Sequence, residues 1–214
     1  CGTKKKGVIR MNIINQFAKD KVIAIIRNFN YDDSFFAMDC LIEAGFTNFE
    51  ISLNTEDAVS MIKDAKIKFG SSATIGAGTV MTVDEVDQVV KAGAEFIFAP
   101  NFNEDVVARA IHHKVLVAPG VFTPTEMQKA TELGCPLVKL FPASTLGPSY
   151  VKQVLSPLAS VNIMAVGGID HGNMDQFILA GALCVGVGSS MMPKDLVNSR
   201  DKNGLLEHLK KYKY

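Results

Sequence analysis

The sequence predicts an α/β fold, a single (β/α)8 barrel of the TIM type with an N-terminal capping helix. Three observations predict it. Along the 214 residues, short β-branched runs that stop at Gly, Pro, Ser or Thr alternate with stretches of helical apolar spacing. Strand candidates recur roughly every 20 to 26 residues, the interval of βα units with short connections. No linker, charge block or low-complexity segment breaks the series. Eight units in one run favour a closed barrel over a doubly wound sheet, whose flavodoxin-like form needs fewer strands.

Strands are expected over residues 22–27, 48–53, 74–80, 96–100, 116–121, 137–143, 162–168 and 184–189. Helices fill the gaps over residues 33–44, 55–68, 83–92, 103–112, 124–133, 148–155 and 172–180, and one closes the chain over residues 205–212. A further helix over residues 11–20 precedes the first strand and suits the barrel floor. Thr82 or Asp84 supplies a cap for the helix at 83–92, and Thr123-Pro124 sets up a start with proline at the first helical position. Gly45, Gly93, Gly134 and Gly181 fall where helices should stop.

Composition narrows the function. A hydrophobic content of 48% and a formal net charge of zero describe an ordinary globular domain with no basic field for nucleic acid or an anionic membrane. An anionic ligand must therefore be captured by a local site. Cys1, Cys40, Cys135 and Cys184 form no CxxC or Cys/His cluster and read as incidental thiols of a reducing compartment. His112, His113, His171 and His208 form no HxH or HExxH pattern; His112 and His113 read as a solvated helix end, and no bound metal or cofactor is expected. No apolar run approaches the roughly 20 residues of a membrane helix. Residues 1–10 are basic and polar without an apolar signal core, so a cytoplasmic location is expected. Met11 is a candidate start, which makes residues 11–214 the barrel domain and residues 1–10 an N-terminal extension or an expression remnant.

In a barrel, alternate strand residues face the lumen, and chemistry collects at the C-terminal ends of the strands. Lys139 sits in Leu137-Val138-Lys139-Leu140-Phe141-Pro142 and shares the inward face with Leu137 and Phe141. A lysine inside an apolar strand is rarely buried without a reason, and burial disfavours the ammonium form of an amine. It reads as a nucleophile for a ketone or as the partner of a nearby carboxylate. Glu50, in Asn48-Phe49-Glu50-Ile51-Ser52-Leu53, faces the lumen with Ser52. It reads as a proton shuttle beside the amine or as simple charge neutralisation. Arg27 ends the first strand on the same rim, to fork onto a carboxylate or to stand as a surface arginine. Gly76-Ala77-Gly78-Thr79 ends the third strand, where its two glycines admit a ligand to the backbone and Thr79 offers a hydroxyl. Gly167-Gly168 ends the seventh strand, and Gly186-Val187-Gly188-Ser189-Ser190 ends the eighth. Barrels commonly bind phosphate at this position, although such glycines also serve tight turns.

With these residues placed, the chain resembles the 2-keto-3-deoxy-6-phosphogluconate / 4-hydroxy-2-oxoglutarate aldolase family from about Val22 to Met192. The resemblance rests on Phe49-Glu50-Ile51-Ser52-Leu53-Asn54-Thr55, Ile75-Gly76-Ala77-Gly78-Thr79-Val80, Ala99-Pro100-Asn101, Ala118-Pro119-Gly120, Val138-Lys139-Leu140-Phe141-Pro142-Ala143, Val166-Gly167-Gly168-Ile169 and Gly188-Ser189. It implies a trimeric barrel and a Schiff-base aldolase that releases pyruvate from a phosphorylated keto-deoxy sugar acid without a cofactor. Lys139 would be the Schiff-base residue and Glu50 the proton-transfer residue. Thr79 and Phe141 would line the pyruvate pocket with Pro100 near it, and Gly167, Gly168, Gly188 and Ser189 would hold the phosphate. Asn54 and Val166 stand where gluconate-acting members often carry Arg and Thr, and these features are more similar to the branch acting on the galactonate epimer. The resemblance thereby moves the carboxylate to Arg27, at the end of the cleft shared with Thr79 and opposite the phosphate. A sugar-phosphate epimerase or isomerase would share the glycine loops without requiring Lys139, and a non-catalytic sugar-phosphate-binding barrel would require neither Lys139 nor Glu50.

Overall fold

Strand parity explains the architecture. Along the first strand Val22, Ala24 and Ile26 join one apolar cluster while Ile23 and Ile25 join another. The same division separates Ile97 from Phe96 and Phe98, Val117 from Leu116 and Ala118, and Ile163 and Ala165 from Met164 and Val166. Such strands are buried on both faces, as a parallel sheet requires when helices cover one side and a filled lumen the other.

The computed structural model describes residues 12–214. The expected extension over residues 1–10 and the candidate start Met11 lie outside the described residues. Among the described residues nine strands are formed: β1 (Val22–Ile26), β2 (Asn48–Ser52), β3 (Thr74–Gly78), β4 (Phe96–Phe98), β5 (Leu116–Ala118), β6 (Gly120–Val121), β7 (Val138–Leu140), β8 (Ile163–Val166) and β9 (Cys184–Val187). Their order is β5-β4-β3-β2-β1-β9-β8-β7-β6, and every pairing is parallel. β5 and β6 are two halves of one strand interrupted at Pro119, which has no N–H to donate to the ladder. The first half bonds β4 and the second bonds β7, so residues 116–121 close an eight-membered ring. The expected barrel, single strand at 116–121 included, is what the chain forms.

The helices are α1 over residues 12–20, then α2 (Tyr31–Glu43), α3 (Ala58–Phe69), α4 (Val83–Ala92), α5 (Glu104–His112), α6 (Pro124–Glu132), α7 (Ala143–Leu146), α8 (Pro148–Leu155), α9 (Met174–Leu179), α10 (Lys194–Asn198) and α11 (Lys202–Leu209), with a 3-10 turn at Lys210–Tyr212. Thr82 and Thr123 each close a capping box, with Glu85 and Glu126. Gly45, Gly93, Gly134 and Gly181 all take the left-handed conformation after a helix. Two short helices, α7 and α10, were not expected from the sequence. The strands also stop earlier than their apolar patterns suggest. Thr79 at φ 59°, Gly167 at φ 94° and Gly168 at φ 70° leave the extended region, so the chain turns into the mouth where the pattern still reads as strand.

The floor of the lumen is apolar and plugged. Phe17 of α1 is fully buried, edge-on to Phe96 with ring centroids 5.2 Å apart. Asp20 fixes α1 to the start of β2 by accepting from Thr47 Oγ1 and Asn48 Nδ2, each at 2.9 Å.

Candidate active site

Lys139 on β7 and Glu50 on β2 come from opposite sides of the ring, four strands apart in either direction around it. Both side chains reach inward above the apolar floor, at 5% and 1% exposure. Lys139 Nζ stands 3.9 Å from Glu50 Oε1. Glu50 Oε2 is buried and has no hydrogen-bond partner among the described residues. Burial pushes the Glu50 carboxyl above the ordinary glutamate range, and the nearby charges of Lys139 and Arg27 offset only part of that rise. The pair therefore brings an amine nitrogen and a carboxyl of raised pKa into one buried space.

The surroundings hold the pair in place. Lys139 Nζ lies 5.6 Å from the centroid of the Phe141 ring. Ser52, next along the inward face of β2, exchanges a 2.8 Å hydrogen bond with Thr79 Oγ1. The two glycines before Thr79 have a different use from the expected one. A Cβ on Gly76 would come within 2.2 Å of the Phe96 ring, and one on Gly78 within 1.7 Å of Glu50 Oε1. They make room for the protein's own side chains rather than for a ligand: Gly78 lets the Glu50 carboxyl lie against the neighbouring backbone. Pro100 is packed in a similar way, its carbonyl 2.2 Å from where a Cβ on Gly120 would lie.

Beside the pair a cavity of about 390 Å³ opens at the mouth, lined by Arg27, Phe141, Gly167, Gly168, Gly188 and Ser189 among others. A Cβ on Gly188 would meet nothing closer than 3.8 Å, so open space there belongs to the cavity and not to packing. Ser189 has no hydrogen-bond partner for its N–H or hydroxyl among the described residues. Asp170, an acid in the lining, is occupied by the Gly172 N–H at 2.7 Å.

Two expected placements change. Arg27 lines the same cavity as the glycine loops instead of sharing the far side with Thr79, because β1 is bonded directly to β9. Thr79 and Pro100 follow β3 and β4, which stand across the ring from β8 and β9. His113 is also no solvated helix end. Its Nε2 lies 2.6 Å from Asp87 Oδ1, while Arg109 holds both oxygens of Asp87. Lys194, which opens α10 and lines the cavity, escaped sequence reading because nothing in the pattern announced a helix there.

Among the described residues no cluster of three or more His, Cys, Asp or Glu side chains is placed to hold a metal ion. No helix among them is long and apolar enough to cross a membrane.

The chain as a whole has counterparts among known proteins. The family model described as KDPG and KHG aldolase matches residues 13–207. The 2-dehydro-3-deoxy-6-phosphogalactonate aldolase of Escherichia coli (strain K12) is 37% identical over 174 residues, 79% of this chain and 83% of that one. The 2-dehydro-3-deoxy-phosphogluconate aldolase of Treponema pallidum (strain Nichols) is 30% identical over 192 residues, 89% of this chain and 91% of that one. In three dimensions, the KDPG aldolase from Legionella pneumophila with pyruvate captured as a covalent carbinolamine superposes with a TM-score of 0.86 at 26% identity, covering 92% of this chain and 96% of that one. A family model spanning nearly the whole chain, relatives matched across most of both lengths and a shared barrel establish that this chain belongs to the KDPG and KHG aldolase family, whose members are carbon–carbon lyases.

Proposed function

We propose that the chain cleaves 2-keto-3-deoxy-6-phosphogalactonate, or its gluconate epimer, to pyruvate and glyceraldehyde 3-phosphate through a Schiff base on Lys139, and that the same chemistry extends to 4-hydroxy-2-oxoglutarate. The observation that carries the reading is the buried amine of Lys139 standing 3.9 Å from a carboxyl whose other oxygen has no partner among the described residues. The Lys139 amine attacks the C2 ketone, and the carbinolamine loses water with Glu50 supplying the proton. The iminium then accepts the electrons of the C3–C4 bond as Glu50, directly or through one water, takes the C4 hydroxyl proton. Glyceraldehyde 3-phosphate leaves, the enamine is protonated at C3, and hydrolysis of the iminium frees pyruvate and Lys139.

The substrate's anionic ends need local partners, since the chain has no net charge. The phosphate is assigned to the loops carrying Gly167, Gly168, Gly188 and Ser189, supported by the open space at Gly188 and the unengaged Ser189. The carboxylate is assigned to Arg27, with Thr79, Pro100 and Phe141 around the pyruvyl carbons. The place of Arg27 in the glycine-loop cavity favours a second role as counter-ion to the phosphate. The 37% identity to the galactonate-acting relative supports the galactonate epimer. The reading also takes the protein to be a cytoplasmic homotrimer in which residues 11–214 form the domain.

The test is a coupled pyruvate-release assay on both phosphorylated epimers, their unphosphorylated counterparts and 4-hydroxy-2-oxoglutarate. The expected result is fastest turnover of the phosphorylated galactonate derivative. Turnover of none of the five contradicts the assignment.

A further inference from the structure

The last turn of the chain is bonded to the loop assigned to phosphate. Ser190, directly after Ser189 and itself in the lining of the cavity, makes three hydrogen bonds. Its carbonyl accepts from Tyr212 OH at 2.6 Å and from His208 Nε2 at 2.8 Å. Its hydroxyl donates to the carbonyl of Ile169 at 2.8 Å, and Ile169 follows Gly168. One residue thus joins the loop after β8, the loop after β9 and the C-terminal helix α11 with its 3-10 turn. Because a carbonyl only accepts, His208 presents a protonated Nε2.

A backbone carbonyl turned toward a phosphate would repel it, whereas backbone N–H groups attract it. Both lone pairs of the Ser190 carbonyl are taken by donors from the C-terminal segment, which leaves neither of them free to face a phosphate. The peptide units leading to the carbonyl are held with it, and Ser189 stays free of intramolecular partners among the described residues. The latch is itself well anchored. Tyr212 is 1% exposed, its ring lies edge-on to His171 at 5.6 Å, and Leu205 and Leu209 seat α11 in the core. Packing of the segment therefore does not depend on the Tyr212 hydroxyl, whose contribution is its bond to Ser190 and its contact with the backbone of His171 on the neighbouring loop.

We infer that Tyr212 and His208 are positioning residues that keep the Ser190 carbonyl from facing a phosphate, so that the C-terminal segment sets the enzyme's preference for a phosphorylated substrate. The inference rests on the reading of the glycine loops as the phosphate site.

Tyr212→Phe removes the hydroxyl's bond to Ser190, together with its contact to the His171 backbone, and keeps the ring. KM for 2-keto-3-deoxy-6-phosphogalactonate should rise about three- to tenfold, the worth of one such bond, with kcat within about twofold. Turnover of the unphosphorylated acid and capture of pyruvate should not change, because neither uses the phosphate loop. His208→Gln, which keeps a donor, should raise KM less than His208→Ala, and this pair decides the matter if Tyr212→Phe folds poorly. Unchanged KM for the phosphorylated acid, or equal loss on both acids, overturns the latch. A wild-type enzyme that does not prefer the phosphorylated acid overturns the phosphate site and the latch together, while the Schiff-base reading is judged separately by capture of pyruvate.

Discussion

The two ends of the barrel lumen are built from the same strands and differ in what they bury. At the floor, Phe17, Phe96, Phe98 and Leu116 fill the space with close-packed carbon. At the mouth, the same inward-facing alternation delivers Lys139, Glu50 and Ser52. Each end also leaves one buried oxygen without a partner among the described residues, Asn48 Oδ1 at the floor and Glu50 Oε2 at the mouth. An orphaned acceptor therefore does not by itself mark a reactive site. What distinguishes the mouth is a carboxyl whose pKa burial raises, placed against an amine, beside an open cavity. The floor supplies the rigidity and the dry base that let this pair stand together.

Substitutions at the two ends should separate chemistry from stability. Glu50→Gln keeps the size and removes the base, so kcat should fall about 10²–10⁴-fold while substrate binding persists. A change in KM alone would assign Glu50 to positioning. The same residue sets a pH signature. Its pKa is raised, and the base form is lost as pH falls through that raised value. The acid limb of the kcat/KM profile should therefore lie above the ordinary glutamate range in the wild type and disappear in Glu50→Gln. At the floor the expectation is reversed. Phe17→Ala should cost about 3–5 kcal/mol of stability in denaturant titration, with kcat of the folded fraction retained. Catalysis lost in proportion to stability there would erase the distinction between floor and mouth.

Smaller effects sharpen the map of the mouth. Arg27→Ala should weaken pyruvate capture about 10- to 100-fold, the worth of a charged hydrogen bond to a carboxylate. Intact pyruvate capture with weakened cleavage of the phosphorylated acid would instead make Arg27 the phosphate's counter-ion. Gly188→Val fills the open space of the cavity and should weaken the phosphorylated substrate about tenfold, as one displaced anion contact would, and leave pyruvate capture unchanged. Equal loss of both would move the phosphate away from this loop.

The floor and the ring were legible because period-two and period-3.6 patterns report burial directly: Phe96 and Phe98 alternate around Ile97 as inner and outer residues must. Lys139 and Glu50 were legible for the same reason, as polar residues breaking an apolar inward face. What escaped depended on contacts distant in sequence or on backbone geometry. Gly78 looks like a ligand's approach, yet the neighbour that needs its space is Glu50, on the adjacent strand. The neighbours of Arg27 follow from β1 pairing with β9, a closure between the two ends of the chain that no local pattern records. The left-handed turn at Thr79 and the short helix α10 likewise carry no periodic apolar signal in the sequence.

The central claim is that Lys139 forms the covalent intermediate, and trapping with pyruvate and borohydride tests it most directly. Reduction of the iminium should add one pyruvyl-derived mass per chain, found by peptide mass spectrometry on the fragment carrying Lys139. Lys139→Ala should lose both the adduct and nearly all turnover while keeping the melting behaviour of a folded barrel. An adduct on a different lysine, or an active enzyme that yields no adduct, would contradict the account.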